Sequence, residues 1–320
     1  MTSDDNLLAT PRMRVLVDND FSGDPDDLFQ MSHHLLSPSV EIRGIIGSHL
    51  RADDDWDRTG NSAPDAVARA KELLRVMHME GRTPVFLGAE TALIDPREPI
   101  VSEAAKAIVA EAMRESALPL YLVCGAGLTD LASALMMEPR IARCMTVVWI
   151  GGEEYPDLAL QPPGMKDPEY NLRIDIPAAQ YVFGETDVPI WQVPRNAYRQ
   201  AIVSFAEIED SVRPSGELGR FLFDAIKEVV ERCAAMGANL GETYVLGDSP
   251  LVLLTALQTS FEADPASSDY VLHPRLGIKA DGSYSNPTEH RNIRVYTRID
   301  SRLLFSDFFA KLRRFAGGVN

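Results

Sequence analysis

Short apolar runs alternate with longer amphipathic segments over the first two-thirds of the chain. The runs centre on Met13–Val17, Val40–Ile46, Pro84–Leu87, Leu118–Val123, Met145–Ile150 and Val188–Val193. Helical patterns lie between them at Asp27–Leu36, Ala63–His78, Ser102–Glu115, Leu128–Met137 and Ile176–Phe183. A strand with no polar alternation is buried on both faces, so this rhythm predicts an α/β fold with a Rossmann-like, mostly parallel central sheet flanked by helices. Right-handed crossovers then gather the carboxyl ends of the strands on one edge. After Arg195 the rhythm changes. Ser215–Ala235 reads as one long helix and Ser249–Leu257 as a short one. Tyr270–Ala280 and Asn292–Arg298 read as strands separated by a turn at Asp281–Pro287, and Ser301–Phe315 as a closing helix with Ser301 as its N-cap. No linker, repeat or low-complexity tract interrupts the pattern. We therefore expect a polar N-terminal tail, residues 1–12, and a single domain, 13–320.

Charge narrows the function classes. Forty-seven Asp and Glu against 31 Lys and Arg give a net charge of −16. That balance disfavours nucleic-acid backbones and anionic lipid, both of which need clustered cations. Three cysteines, Cys124, Cys144 and Cys233, form no CxxC pair and fit a reducing compartment. The first twelve residues carry no apolar run of signal-peptide type, and no stretch is long and apolar enough to span a bilayer. The reading is a cytoplasmic protein with a small-molecule ligand.

In open α/β sheets ligands bind beyond the carboxyl ends of the strands. The segment after the first strand, Asp18-Asn-Asp-Phe-Ser-Gly-Asp-Pro-Asp-Asp27, holds five aspartates in ten residues. Like charges at that density are unstable unless a cation or solvent relieves them. Hard oxygen donors suit Ca²⁺ or Mg²⁺ rather than zinc. Asp26 and Asp27 alone could serve only to favour a helix N-terminus, but Asp18, Asp20 and Asp27 together point to a metal site. An EF-hand does not fit, because its twelfth position would be Phe29 and a strand precedes it. A haloacid-dehalogenase-type phosphatase also opens on a strand and Asp-x-Asp; the later Lys and second acidic pair it needs form no convincing set, and it stays as a lesser alternative.

These residues resemble the DxDPGxDD opening of the Ca²⁺-dependent nucleoside N-ribohydrolases, the inosine/uridine-preferring nucleoside hydrolase family. Further likenesses follow in the same order. Pro84–Ala89 resembles PVxxGA, Cys124–Ala132 resembles GPLTNxA, and Val147–Gly152 resembles VxMGG. Glu169–Ala179 resembles EFNxxxDPEAA, and Gly247-Asp248-Ser-Pro resembles HDP. The resemblance spans residues 13 to 315. It implies a hydrolase that cleaves the N-glycosidic bond of ribonucleosides and works as a dimer or tetramer. It implies Ca²⁺ held by Asp20, Asp27, the Thr129 carbonyl and Asp248, with the ribose diol and one water on the ion. Asp20 would take the proton from that water. Asp26, Glu169 and Asn171 would hydrogen-bond the sugar, and Asp18 would support the loop.

The chain departs from the pattern in places. The opening loop is two residues longer, which leaves the choice between Asp24 and Asp26 open. Ser48 or His49 stands near the position of an Asn after strand two. Glu153–Pro168 is long and Pro-rich and lacks an expected Asn. Gly247 replaces the His that protonates the leaving base in one branch, and His49 and Tyr244 are candidates to replace it. Tyr244 otherwise reads as core. Trp56 and Trp191 read as packing or as base-stacking groups, His33-His34 as structural, and Asp53–Asp55 as a solvated run or as a group near the active-site mouth. Two rivals follow from these changes: a hydrolase of another ribosyl compound, and an inactive Ca²⁺- and sugar-binding homologue.

Overall fold

The computed structural model describes residues 10–57, 59–259, 261 and 267–318. Most of the expected N-terminal tail lies outside the described residues. The strands, in chain order, are β1 (Met13–Asn19), β2 (Val40–Gly47), β3 (Val85–Leu87), β4 (Leu120–Cys124), β5 (Met145–Ile150), β6 (Ile190–Val193), β7 (Ile202–Ser204), β8 (Thr243–Val245), β9 (Asp269–His273), β10 (Leu276–Ile278), β11 (Tyr284–Pro287) and β12 (Ile293–Arg298). Eight of them form one sheet in the order β3-β2-β1-β4-β5-β6-β12-β9. All neighbours pair in parallel except the edge pair β12 and β9, which is antiparallel.

Period-two alternation within the apolar runs builds two cores, one on each face of the sheet. Val15 and Val17 of β1, Val123 of β4, and Val148 and Ile150 of β5 enter one core. Leu16, Leu122, Val147 and Trp149 enter the other. The second core is covered by helices Glu103–Ala112, Thr129–Met137 and Ile176–Glu185. The first is covered by Asp26–Leu35, Ser62–Val76, Gly216–Ala235 and Ser301–Ala316.

The chain proceeds from β1 outward through β2 and β3, then returns to place β4 on the other side of β1. This reversal makes the carboxyl ends of β1 and β4 the switch point of the sheet, where a crevice opens. Asn19 and Gly125 stand at those ends. The Gly125 N–H donates to the Asp18 carbonyl at 3.0 Å and to Asn19 Oδ1 at 3.1 Å.

Three details differ from the expectations. The expected strand Tyr270–Ala280 is split into β9 and β10. The first pairs with β12 and the second with β11, so part of the expected turn Asp281–Pro287 is itself a strand. The N-cap of the last helix is Asp300, whose carboxylate accepts from the Leu303 N–H at 2.9 Å; Ser301 is the first helical residue. The ribbon β7–β8 has no counterpart in the apolar pattern. It matters to the site, because β8 leads directly into Gly247-Asp248 and the Leu246 N–H is tied to the Ala201 carbonyl at 2.8 Å.

Candidate active site

The loop after β1 turns sharply, with the Gly23 N–H donating to the Asp20 carbonyl at 2.7 Å. It delivers Asp26 and Asp27 to the first turn of helix Asp26–Leu35, where the helix dipole favours negative charge. Asp248 arrives from the other end of the chain. Its backbone N–H donates to Asp26 Oδ2 at 3.0 Å, and its Oδ2 accepts from Asn19 Nδ2 at 3.0 Å. A β-carbon at Gly125 would overlap the Asp248 carboxylate, so glycine is what makes room for it.

Asp18, Asp20, Asp27 and Asp248 are all buried. Burial, followed by mutual repulsion, pushes the carboxyls of Asp26, Asp27 and Asp248 well above the usual carboxylate range. Asp20 is pushed up to about 8, by burial first and then by the charges of Asp54, Asp24 and Glu169. Asp24 is pushed up to about 6 by burial, against the hydrogen bond from Tyr244.

Several buried oxygens have no partner: both on Asp27, Oδ2 of Asp20 and Oδ2 of Asp18. An unpaired buried carboxylate oxygen costs several kcal/mol of solvation unless something satisfies it. An oxygen-binding cation would satisfy Asp20 and Asp27 together, and all-oxygen donors are the chemistry of Ca²⁺ or Mg²⁺. The residues present therefore fit a hard cation. Among the described residues, no three His, Cys, Asp or Glu side chains are already drawn together into a ligand sphere.

A ring of groups surrounds this cluster. Glu169 is the N-cap of helix Tyr170–Ile174, with Oε2 accepting from the Leu172 N–H at 3.0 Å and the Gly152 N–H at 2.8 Å. Its Oε1 accepts from the Tyr198 phenol at 2.9 Å. Asn171 donates to the Ile150 carbonyl at 2.9 Å, at the end of β5. The Glu153–Glu154 segment is clamped to the same region. The Arg195 guanidinium ion-pairs with both carboxylates, and Glu153 Oε1 accepts from the Glu169 N–H at 2.7 Å. Thr129 opens helix Thr129–Met137 and donates from its hydroxyl to Asp175 Oδ2 at 2.7 Å.

His49 is buried, and both ring nitrogens bond to protein: Nδ1 with the Leu50 carbonyl at 2.8 Å and Nε2 with Thr129 Oγ1 at 2.9 Å. It is thus anchored within the fold. His33 and His34 are buried against Asp307 and Thr255, as structural residues are.

Three site neighbours take roles the sequence does not single out, and Tyr198 is not signalled in it at all. Asp54 belongs to the run Asp53–Asp55, yet it is buried while both its neighbours are exposed. Its charge acts on Asp20, and its carboxylate takes a hydrogen bond from the Tyr170 phenol. Tyr198 packs its ring beside Gly247, where a β-carbon would come within 3.3 Å of the ring and 3.2 Å of Asp26 Oδ2. Tyr244 is buried as expected of core, but its phenol also bonds to Asp24. Three carboxylates at the site thus each hold a phenol, and burial first and the adjacent charge second keep all three phenols protonated. A cavity of about 240 Å³ flanks the opening loop, between Phe21, Leu28, Trp56 and Arg69 on one side and Val229 and Arg232 on the other.

Comparison with known proteins fits this geometry. No curated protein gives a significant match to the chain. Among solved structures, a plant nucleoside hydrolase, PpNRh1, is 19% identical with a TM-score of 0.71, over 95% of this chain and 99% of that one. A purine-preferring ribonucleoside hydrolase from Gardnerella vaginalis is 18% identical with a TM-score of 0.72, again over 95% and 99%. An inosine-uridine preferring nucleoside hydrolase from Bacillus anthracis is 16% identical with a TM-score of 0.60, over 94% and 99%. These likenesses show the fold. The family model for inosine-uridine preferring nucleoside hydrolases matches residues 15–305, nearly the whole chain, and the chain belongs to that family.

Proposed function

We propose that this chain hydrolyses the N-glycosidic bond of ribonucleosides, releasing ribose and free base, with calcium as its cofactor. Asp20, Asp27 and Asp248 would hold the ion by carboxylate and Thr129 by its carbonyl. Calcium, when bound, supplies the positive charge that orients a vicinal diol and eases deprotonation of a neighbouring water. The carrying observation is the buried oxygens of Asp20 and Asp27 that have no protein donor, on two carboxyls whose charges act on each other.

Asp20 is the general base and removes the proton of the attacking water. Bond cleavage builds positive charge on the sugar, and the half-buried carboxylates of Asp24 and Asp26 and the buried one of Glu169 stabilise it. Asn171 and the Tyr198–Glu169 pair orient the sugar. His49 supports this wall through Thr129. The substrate is a small-molecule nucleoside, and the same proposal takes the protein as one domain over 13–320, working as a cytoplasmic dimer or tetramer.

Release of reducing sugar from purine and pyrimidine nucleosides, and from p-nitrophenyl riboside, tests this reading with and without chelator. Chelator-sensitive release is the expected result. Silence across the panel by a protein that still binds calcium would replace the hydrolase with a sugar-binding homologue.

A further inference from the structure

Behind the acidic cluster runs a buried ring of polar groups that none of the catalytic roles uses. Asn19 lies between Asp18 and Asp20, at the end of β1. Its Oδ1 accepts from the Gly125 N–H at 3.1 Å, which fixes the orientation of the amide. Nδ2 therefore faces two acceptors, Asp248 Oδ2 at 3.0 Å and Gln30 Oε1 at 3.1 Å. Gln30 then presents Nε2 to His34 Nδ1. On the far side, the Thr255 hydroxyl donates to the Leu251 carbonyl at 2.6 Å, so it accepts from His34 Nε2 at 2.8 Å. The imidazole donates at one nitrogen and accepts at the other, as a neutral ring does. The Leu251 N–H closes the circuit on the Asp248 carbonyl at 3.0 Å. Asn19, Gln30, His34 and Thr255 are all at most 1% exposed.

The ring joins the two halves of the site. Asp20 follows the end of β1, and Asp27 lies in the first turn of helix Asp26–Leu35, which also carries Gln30 and His34. Asp248 lies in the turn before helix Pro250–Leu253, which carries Leu251, and Thr255 follows that helix. The Asp248 backbone N–H to Asp26 and the Tyr244 phenol to Asp24 also tie the acidic loop to this segment. Every member of the ring has a consistent donor or acceptor role, and fully satisfied buried networks fix geometry.

We infer that Asn19 and Gln30 are positioning residues: they hold the Asp248 carboxylate against the aspartates of the opening loop, in register for one shared cation. The inference rests on the reading of Asp248 as a calcium carboxylate. Partners that orient a ligating group commonly set metal affinity by about ten- to a hundredfold.

Calorimetric titration with calcium, together with melting in chelator, tests it on the full chain. Asn19→Ala should weaken calcium binding by about tenfold or more. Gln30→Met, which touches no ligand, should weaken it by a smaller factor, about threefold to tenfold. The double variant should bind no more weakly than Asn19→Ala, because Gln30 acts through Asn19. Thr255→Val, at the far side of the ring, gives a second route should Gln30→Met fold poorly, and it should weaken binding in the same sense. A drop in the chelated melting temperature with unchanged calcium affinity would show a structural role only and overturn the inference. Additive losses in the double variant would overturn it too. Absence of calcium binding by the unmodified chain would instead remove the metal reading itself, and the positioning role with it.

Discussion

Asp20→Asn is expected to lower turnover by about three orders of magnitude or more while raising the stability of the chelated protein. The loss follows from two roles held by one side chain. General-base catalysis by a placed carboxylate is worth about 10²- to 10⁴-fold, and removing a ligand charge weakens the cation that makes the water acidic. The gain follows from burial. Asp20 is buried, one of its oxygens lacks a partner, and its carboxyl is pushed up to about 8 by burial and by Asp54, Asp24 and Glu169. An unfolded chain ionises this group near its ordinary value, so at neutral pH folding must add a proton or bury a charge. The amide has the same shape and no charge. It should recover on the order of a few kcal/mol, read as a higher melting temperature in chelator. Steady-state rates and melts on the same preparation check both halves. Full activity in Asp20→Asn would move the base elsewhere. A lower chelated melting temperature would mean that Asp20 is held by contacts a carboxylate makes and an amide cannot.

A strand buried on both faces cannot hide its apolar character. The runs around Val15, Ile45, Leu122 and Val148 therefore stand out, and the aspartates that follow Val17 locate the switch-point edge. The three-residue strands β7 and β8 are too short to show any period. Tyr284–Pro287 pairs with β10 although Asp281, Gly282, Asn286 and Pro287 all favour turns, because a short edge strand tolerates a proline. Local charge is a poor guide to burial: Asp54 is flanked by exposed aspartates yet buried beside the site. The opening loop is legible as acidic, but not as partner to the Tyr244 phenol on Asp24, which arrives from a distant element. The contact between Asn19 and Asp248 joins residues 229 positions apart. Nothing in either local sequence announces it.

The second large effect is the pH dependence of stability, and calcium should offset it. Asp20 is pushed up to about 8 and Asp24 to about 6, with burial the leading cause for both. Asp26, Asp27 and Asp248 are raised well above the usual range, again with burial first and neighbouring aspartates next. Between the ordinary aspartate value near 3.8 and these raised values, the folded chain keeps protons that the unfolded chain has lost. Stability then falls as pH rises, because the native state binds more protons than the unfolded one. His33, held down to about 4 by burial, and His34, lowered likewise, oppose this toward pH 5, but the five raised carboxyls outnumber them. In chelator the melting temperature should therefore drop by about 5 °C between pH 5 and pH 8, given a few kcal/mol spread over a chain of this size. Calcium binds the ionised carboxylates, so its affinity rises over the same interval. At a hundredfold excess over Kd it adds about 2.7 kcal/mol, with its largest effect at the alkaline end. Melting curves at pH 5, 6.5 and 8, with chelator and with calcium, should therefore diverge as pH increases. Parallel curves would show that no cation relieves the cluster. A chelated protein most stable at pH 8 would show that the aspartates are ionised in the folded chain and already satisfied without one.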